Sequence, residues 1–275
     1  MPEWQKFRIK NSNTQRGRPS LPLLSIMSIS DKKQIIIIVQ ARMGASRLPG
    51  KPLKEVMGRP LLSYQLERLR DSKLATKIVV ATTTDSIDDA IESLCQKEKV
   101  ACFRGSPLDV LDRYYQAAKC YDADIIIRIT GDCPLIDPEI VDQVIGYYLD
   151  HSPHYDYVSN SLERTFPRGL DTEVFSFQLL EKAARQAQRQ EEREHVTLYF
   201  YQHPELFSLG SVKQSVDQSF HRWTIDTPED LELVSKIFID LYPQKTDFRT
   251  KEVLETFERH PDWIKINAHI MQKPV

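Results

Sequence analysis

The 275-residue chain is long enough for one large α/β domain, and 41% hydrophobic and 28% charged residues describe an ordinary globular protein. A formal net charge of −2 gives no general attraction to nucleic acid or to an anionic membrane, so neither is an expected partner. No apolar run approaches the ~20 residues that a membrane span requires. An anionic ligand must therefore be held by a local cluster of positive charge.

The four cysteines follow no pattern of a disulfide scaffold or a metal site. Cys95, Cys102, Cys120 and Cys133 form no CxxC pair and have no metal-like spacing with a histidine. Such sparse usage is typical of a reduced, intracellular protein. We therefore expect a cytoplasmic location.

The first 33 residues differ in character from the rest of the chain. They hold seven lysines and arginines against two acidic residues, and a short apolar patch at 21–29 follows the basic stretch. No small-residue cleavage site follows that patch, which argues against a signal peptide. We expect residues 1–33 to be a disordered basic extension, or the true start to be Met27. A targeting role is the alternative.

Buried strands and amphipathic helices alternate from residue 34 onward. Apolar runs predict strands at 34–39, 77–81, 100–103 and 124–129, and helical spacing predicts helices at 61–70, 85–98 and 108–121. Such alternation predicts βαβ units and a parallel sheet. Right-handed crossovers then place the ligand crevice beyond the carboxyl ends of the strands.

The pattern changes after about residue 152. Strands are predicted at 172–177 and 206–213 around two helices, so we expect residues 153–215 to form an inserted antiparallel subdomain. The chain then returns through a short strand at 222–225 into a helix at 228–241. Residues 34–275 are thus predicted to form a single domain that carries this insertion.

The loop after the first strand, VQARMGASRLPGK, concentrates positive charge. It packs Arg42, Arg47 and Lys51 around two glycines directly after a buried strand. Glycine lets the backbone approach phosphate oxygens closely, arginine adds forked donors and lysine adds a compact charge. Five residues separate the glycines and proline follows the lysine, which excludes a Walker A loop, and GxGxxG is absent. The loop predicts a site for a phosphate chain, with a solvated basic turn as the alternative.

Two aspartates follow predicted strands. Asp132 lies in TGDCPLID after the strand at 124–129, and Asp226 lies in RWTIDTPEDL before a helix with Pro228 in its first turn. A carboxylate at the carboxyl end of a strand suits a hard cation with phosphate ligands. A plain turn for Asp132 and a helix cap for Asp226 are the alternatives.

Taken together, these motifs resemble the signature of the cytidylyltransferases that activate sugars and sugar acids. That family includes the 3-deoxy-manno-octulosonate and acylneuraminate enzymes, and the chain most resembles the spore coat polysaccharide biosynthesis protein F type. The resemblance runs from about Gln34 to Leu241. It implies a Rossmann-like, three-layer α/β/α nucleotidyltransferase fold of the GT-A kind. It also implies CTP, Mg²⁺, a small-molecule acceptor and a homodimer, with residues 153–215 binding the acceptor and pairing the subunits.

The resemblance further implies roles for individual residues, beside what the motifs predict. Asp132 and Asp226 are the expected metal ligands. The catalytic set comprises Arg42, Arg47, Lys51 and Asp132. The nucleotide-binding set comprises Ala41, Arg42, Gly44, Lys51, Thr82, Asp85, Arg104 and Asp109. The acceptor-binding set comprises Arg168, Gly169, Asp171, Glu173 and His195.

Several of these residues have simpler interpretations. Asp85 and Asp109 are equally well placed to cap helices, and the acceptor set could form a polar hairpin at a surface. A lone histidine such as His195 is more often a cap or core residue. As a whole function, the alternative is a GT-A glycosyltransferase, which should carry a DxD metal motif that GDCPLID lacks.

Overall fold

A computed structural model describes residues 33–272 of the chain. The prediction for residues 1–33 therefore lies outside the described residues, apart from Lys33. No helix in the described range is long and apolar enough to cross a membrane.

A central sheet organises the described residues. The strands in chain order are β1 (Ile35–Gln40), β2 (Glu55–Val56), β3 (Arg59–Pro60), β4 (Lys77–Thr83), β5 (Ala101–Gly105), β6 (Ile125–Thr130), β7 (Tyr157–Ser159), β8 (Glu173–Ser176) and β9 (Leu209–Ser211). Seven of them form one sheet in the order β5-β4-β1-β6-β8-β7-β9, while β2 and β3 pair separately. The first four strands of that order are mutually parallel, and β8 is antiparallel to both of its neighbours.

Helices cover both faces of the sheet. They are α1 (Leu61–Leu69), α2 (Asp89–Glu98), α3 (Val110–Cys120), α4 (Pro138–Asp150), α5 (Phe177–Gln186), α6 (Gln190–Glu194), α7 (Leu198–Tyr201), α8 (Pro228–Leu241) and α9 (Thr250–Arg259), with 3-10 turns at Lys51–Leu53, Ser86–Asp88 and Pro261–Lys265. Ile37 and Val39 of β1 join a core under α1, α2, α4, α8 and α9, whereas Ile36 and Ile38 join a second core under α3, α5 and α7. Because successive side chains of a strand point to opposite faces, the β-branched run of β1 serves both cores. The predicted three-layer α/β/α fold is confirmed.

The elements of the first half form where the sequence predicts them, and two later segments differ. Residues 222–225 form no strand in the described chain, because only Arg222 makes an isolated bridge, to Arg168. The segment 153–215 supplies the antiparallel β8, as predicted, but β8 pairs with β6 and so continues the central sheet. Val174 and Phe175 of β8 are fully buried in the two opposite cores, which explains why this segment joins the sheet and forms no separate layer.

Candidate active site at the carboxyl ends of the strands

The loops after β1 and β6 meet at the carboxyl edge of the sheet. The backbone N–H of Gly131 donates to the carbonyl oxygen of Gln40 at 2.8 Å. A Cβ atom at position 131 would lie 2.6 Å from that oxygen, so glycine is what permits this close approach. The two predicted motifs thus share one crevice, as parallel strand ends require.

Two adjoining cavities open along this edge. The central cavity, of about 310 Å³, lies between the β1 loop and the β6 loop. Its wall includes Ala41, Arg42, Ser46, Arg47, Lys51, Asp132 and Asp226. The lateral cavity, of about 380 Å³, lies over β6 and β8, and its wall includes Arg128, Arg164, Arg168, Asp171, Glu173 and Tyr201. Thr130 and His195 line both cavities, so the two spaces are neighbours.

A lysine joins the two predicted metal ligands. Lys51 Nζ lies 2.7 Å from Asp132 Oδ2 and 3.0 Å from Asp226 Oδ1. Asp226 Oδ2 also forms an ion pair with Arg47 Nη2 at 2.9 Å and accepts from Arg222 Nη2 at 2.7 Å. Burial opposes charge on Asp132, but the neighbouring Lys51 ammonium outweighs it and lowers the pKa of that carboxyl. Burial likewise opposes charge on Lys51, yet the two neighbouring carboxylates outweigh it and raise the pKa of the lysine.

A buried carboxylate holds Asp226 in place. Asp230 is fully buried, and its Oδ2 accepts from the backbone N–H of Asp226 at 2.9 Å and from that of Thr227 at 3.0 Å. Its Oδ1 accepts from Arg222 Nε at 2.9 Å. Thr227 and Asp230 form the capping box at the start of α8. Sequence reasoning missed Asp230, although an acid three residues after Thr227 was a readable capping signal.

A second missed residue anchors the β1 loop. The carboxylate of Asp88, which is 1% exposed, accepts from the backbone N–H of Met43 at 2.7 Å and from the hydroxyl of Thr83. This pair of bonds ties the β1 loop to the end of β4. Only the helical pattern around Asp88 was visible in the sequence, because Met43 lies 45 residues away along the chain.

The donor set of the central cavity fits a magnesium ion delivered with phosphates. Residues 33–272 contain no group of three or more histidine, cysteine, aspartate or glutamate side chains arranged to hold a metal ion by themselves. Asp132 and Asp226 nevertheless both reach one cation, the Lys51 ammonium, which occupies a position where a metal ion would fit. Mg²⁺ is usually held by one or two carboxylates together with substrate phosphates and water.

Glu173 lies at the floor of the lateral cavity and is hydrogen-bonded on every side. It accepts from Tyr157 Oη at 2.6 Å, from Thr197 Oγ1 at 2.8 Å and from the Arg128 guanidinium. Burial disfavours charge on Arg128, but the Glu173 carboxylate outweighs this and raises the pKa of Arg128. Burial and the same carboxylate both raise the pKa of Tyr157. With its oxygens so engaged, Glu173 shapes the cavity floor.

The other predicted acceptor residues are placed in different ways. Asp171 lines the lateral cavity and is paired with Arg164 at 2.5 and 2.9 Å. Arg168 lines it too, and among the described residues its guanidinium makes no hydrogen bond or ion pair. Gly169 lines neither cavity. It has φ of +104°, and a Cβ there would lie 2.7 Å from the backbone of Trp223, so it supports the turn that carries Arg168.

His195 ends α6 and lies where the two cavities meet. Its carbonyl oxygen accepts from the backbone N–H of Thr197 at 2.5 Å, and Thr197 in turn binds Glu173. The histidine is therefore neither a core residue nor remote from the site.

Four residues of the predicted nucleotide-binding set, Thr82, Asp85, Arg104 and Asp109, line neither cavity. Arg104 donates to the carbonyl oxygens of Thr83 and Asp85, both at 2.9 Å, and pairs with Asp89 and Glu92. The capping interpretation of Asp109 is confirmed, because its carboxylate accepts from the backbone N–H of Asp112 at 2.8 Å, and it also pairs with Arg193. The side chains of Arg104 and Asp109 are thus committed to internal contacts.

The other members of the nucleotide-binding set lie in different surroundings. Thr82 is fully buried, and its hydroxyl has no partner within the described range. Asp85 is exposed and makes no capping bond through its side chain. Ala41 and Arg42 line the central cavity, whereas Gly44 lies beside it with open space around its Cα.

Comparison with known proteins places these features in one family. The family model described as Cytidylyltransferase matches residues 36–258. The chain is 39% identical over 242 residues to an uncharacterised protein of Methanocaldococcus jannaschii, covering 87% of this chain and 97% of that protein. It is 35% identical over 235 residues to the spore coat polysaccharide biosynthesis protein SpsF of Bacillus subtilis, covering 83% and 95%. It is 33% identical to the 8-amino-3,8-dideoxy-manno-octulosonate cytidylyltransferase of Shewanella frigidimarina, over 50% of this chain and 57% of that protein.

Solved structures agree with the sequence relatives. A cytidylyltransferase from Leptospira borgpetersenii superposes with a TM-score of 0.81 at 36% identity, covering 88% of this chain and all of that one (100%). CMP:2-keto-3-deoxy-manno-octonic acid synthetase, solved with CTP, superposes with a TM-score of 0.59 at 18% identity, covering 76% of this chain and 99% of that one. At that level of identity the second match speaks for the fold alone.

Proposed function

The chain belongs to the cytidylyltransferase family, and from this premise we propose that it transfers CMP from CTP to a sugar acid or related glycan precursor, with Mg²⁺ and release of pyrophosphate. Family membership makes it a nucleotidyltransferase enzyme and leaves the glycosyltransferase alternative without support. The single observation that carries the finer proposal is the contact of Lys51 with both Asp132 and Asp226 beside the arginines of the β1 loop.

The central cavity supplies what a triphosphate requires. Arg42, Arg47 and Lys51 place three positive charges on one wall, and the loop backbone between them is open to solvent. In the reaction the acceptor hydroxyl oxygen bonds to the α-phosphorus and loses its proton to water, while the bond from that phosphorus to the pyrophosphate oxygen breaks. Such transfers depend mainly on positioning and on neutralising charge. The three cations would stabilise the charge that develops on the departing pyrophosphate.

Asp132 and Asp226 are the residues that would hold Mg²⁺. When bound there, the ion supplies further charge neutralisation at the phosphates. Asp230 and Arg222 keep Asp226 oriented, and Asp88 keeps the β1 loop against β4, so the chain itself sets the relation between carboxylates and cations. This positioning is the main contribution of the protein to the reaction.

The lateral cavity is the proposed acceptor site. It adjoins the central cavity at Thr130 and His195, so an acceptor held there would reach the α-phosphate. The Arg128–Glu173 and Arg164–Asp171 pairs cancel within its wall, which leaves Arg168 as a surplus positive charge. One surplus charge suits an acceptor with one carboxylate, as in the octulosonate named for the Shewanella relative. We further propose that residues 153–215 also pair the subunits of a homodimer.

A screen of acceptors tests the proposal. Purified protein, CTP and Mg²⁺ are incubated with sugar acids, neutral sugars and sugar phosphates, and products are identified by mass spectrometry alongside pyrophosphate release. We expect a CMP-linked sugar acid. Failure of CTP to react with every sugar acid, or a clear preference for another nucleoside triphosphate, would overturn it.

An arginine variant tests the acceptor site separately. Arg168→Gln should raise the KM for the acceptor by about tenfold or more, because a charge-assisted pair with the acceptor carboxylate is lost, and leave the KM for CTP unchanged. Lys182→Gln, at a lysine that packs on Phe207 away from both cavities, is the control. An equal rise in both KM values would place Arg168 outside the acceptor site.

A further inference from the structure

We infer that Lys51 is an exchangeable internal cation: it holds Asp132 and Asp226 together in the free protein and must leave them before a divalent cation can bind. The inference rests on the proposed function for the identity of the nucleotide. Its central test uses the free protein, so it can fail or succeed independently of cytidyl transfer.

The gap between Asp132 and Asp226 is too narrow to hold two cations at once. Lys51 Nζ lies 2.7 Å and 3.0 Å from one oxygen of each aspartate. Magnesium demands contacts of about 2.0–2.1 Å to the same kind of oxygen, so an ion bound to both carboxylates would overlap the ammonium group. The two cations therefore exclude each other from the gap between these aspartates.

The two aspartates differ in the number of cations that neutralise them. Asp226 retains Arg47 and Arg222 if Lys51 withdraws. Asp132 has Lys51 as its ion-pair partner and, within the described residues, no other; the further side-chain contact of its carboxylate is with Cys133. Withdrawal of Lys51 would leave Asp132 charged and more than four-fifths buried without a counterion, which is costly. Lys51 must therefore be replaced by another cation as it leaves.

The central cavity gives the Lys51 side chain a place to move to when it leaves the aspartates. Lys51 begins the 3-10 turn after Gly50 and lines the same cavity as Arg42 and Arg47. Its flexible side chain carries a mobile point charge, which a triphosphate in this cavity would attract. Nucleotide binding would draw Lys51 away and open the gap between the carboxylates. Nucleotide and divalent cation are then positively coupled through the position of one side chain.

Titration with Mn²⁺ in the absence of nucleotide tests the exchange. The loss of the free Mn²⁺ signal in electron paramagnetic resonance reports binding to wild type, Lys51→Met and Lys54→Met. Lys54 lies in the same loop and makes no side-chain bond in the described chain, so it controls for the loss of a lysine. We expect Lys51→Met to bind one Mn²⁺ at least about tenfold more tightly than the other two proteins. Adding Asp132→Asn to Lys51→Met should abolish that gain.

Thermal unfolding provides a second readout. Lys51→Met should melt at a lower temperature than wild type in EDTA and recover when Mn²⁺ is added, whereas wild type should respond little. Lys51→Ala is measured in parallel, so that the comparison survives if methionine disturbs the loop. Equal Mn²⁺ affinity of the folded Lys51 variants and the wild type would overturn the inference.

A nucleotide arm then tests the coupling. Saturating α,β-methylene CTP, which resists transfer, should tighten Mn²⁺ binding to wild type at least about tenfold, but tighten it much less in Lys51→Met. An equal gain in both proteins would overturn the proposed role of Lys51. No nucleotide effect in either protein, with the free-protein difference intact, would count against CTP as the ligand and leave the internal-cation role standing.

Discussion

The central and lateral cavities share the edge of one sheet but satisfy their charges in opposite ways. In the central cavity, one lysine is shared between two aspartates, and the side chains concerned are 14–18% exposed. In the lateral cavity, Glu173 is 7% exposed and its oxygens are closed by a guanidinium and two hydroxyls. The first arrangement can exchange one cation for another, while the second is a fixed floor. A charged residue in a cavity wall is thus informative only when its existing partners are known.

The same difference explains the nucleoside-facing region. Arg104 and Asp109 were expected to contact the nucleotide because the family resemblance implied it, yet the side chains of both hold loops and helix ends. Lys51, Asp132 and Asp226 are polar too, but among the described residues their charged groups bond mainly to one another and to nearby cations. Exchangeable contacts, and not polarity, separate the candidate catalytic residues from the structural ones.

The largest expected effect is that of Asp132→Asn. Removing the carboxylate that we propose holds Mg²⁺ should lower kcat about a thousandfold or more, since several kcal/mol of charge stabilisation would depend on it. Circular dichroism and thermal unfolding should remain close to wild type, because the side chain lies in a cavity. Asp150→Asn, at an exposed carboxylate at the end of α4, should leave activity unchanged. Full pyrophosphate release by the Asp132 variant would remove this residue from the site.

Breaking the floor of the lateral cavity should instead destabilise the fold. Glu173→Gln would leave the buried Arg128 without its counterion, at a cost of about 3–5 kcal/mol in the free energy of unfolding. The matched variant Asp171→Asn disrupts a pair whose carboxylate is 36% exposed, and should cost about 1 kcal/mol or less. Urea unfolding of both proteins measures the contrast. Similar losses in the two variants would mean that the two pairs do not differ as described.

The stability of the aromatic packing around His221 should depend on pH. Burial lowers the pKa of His221 from 6.5 to about 4, and its ring packs against Phe220, Trp223 and Phe257. Below pH 6.5 the His221 imidazole takes up a proton in the unfolded chain, whereas the buried imidazole of the folded chain stays neutral until about pH 4. The contribution of the neutral ring to the free energy of unfolding is therefore lost as pH falls from 6.5 towards 4. The loss is at most about 3 kcal/mol.

The histidine effect is measured by difference. His221→Phe keeps the aromatic packing and removes the titration, so its unfolding free energy should fall less between pH 6.5 and 4 than that of wild type. Above pH 7 the two proteins should differ little in slope. Parallel pH profiles through the acid range would show that His221 is not held neutral by burial.

The smallest expected effect concerns the anchor of the β1 loop. Asn has one carbonyl oxygen, so in Asp88→Asn either the Met43 N–H or the Thr83 hydroxyl loses its acceptor. The looser loop should raise the KM for CTP by about tenfold, equivalent to about 1.4 kcal/mol. Asp89→Asn, at an adjacent carboxylate that is 61% exposed, is the control and should change this KM little. A lower kcat with an unchanged KM would argue that Asp88 does not position the triphosphate loop.

Prediction from sequence succeeded where a local pattern carries the physics. The β-branched runs that form β1 and β6 are readable along the chain, because burial leaves a short-range signature. The glycine-rich basic loop is readable in the same way, and its binding of a phosphate chain stays a prediction. Asp88 was not found, because folding brings the backbone N–H of Met43 to it from 45 residues away, and along the chain it resembles any helix-start acid. Asp230, by contrast, bonds the backbone three and four residues before it, a local capping signal that was overlooked. Likewise, whether residues 222–225 form a strand or an isolated bridge at Arg222 depends on which backbone lies opposite them, and the local sequence does not show this.

By itself the sequence determined the layered α/β class, the β1 loop with its three cations and the two candidate aspartates. Tertiary structure alone decided that Lys51 lies between those aspartates, that Glu173 is fully engaged and that Arg168 is left as a surplus charge. The reason is physical. Residue type and spacing determine which groups the strand ends present, but the state of a charge depends on partners brought close by folding, often more than 80 residues away along the chain.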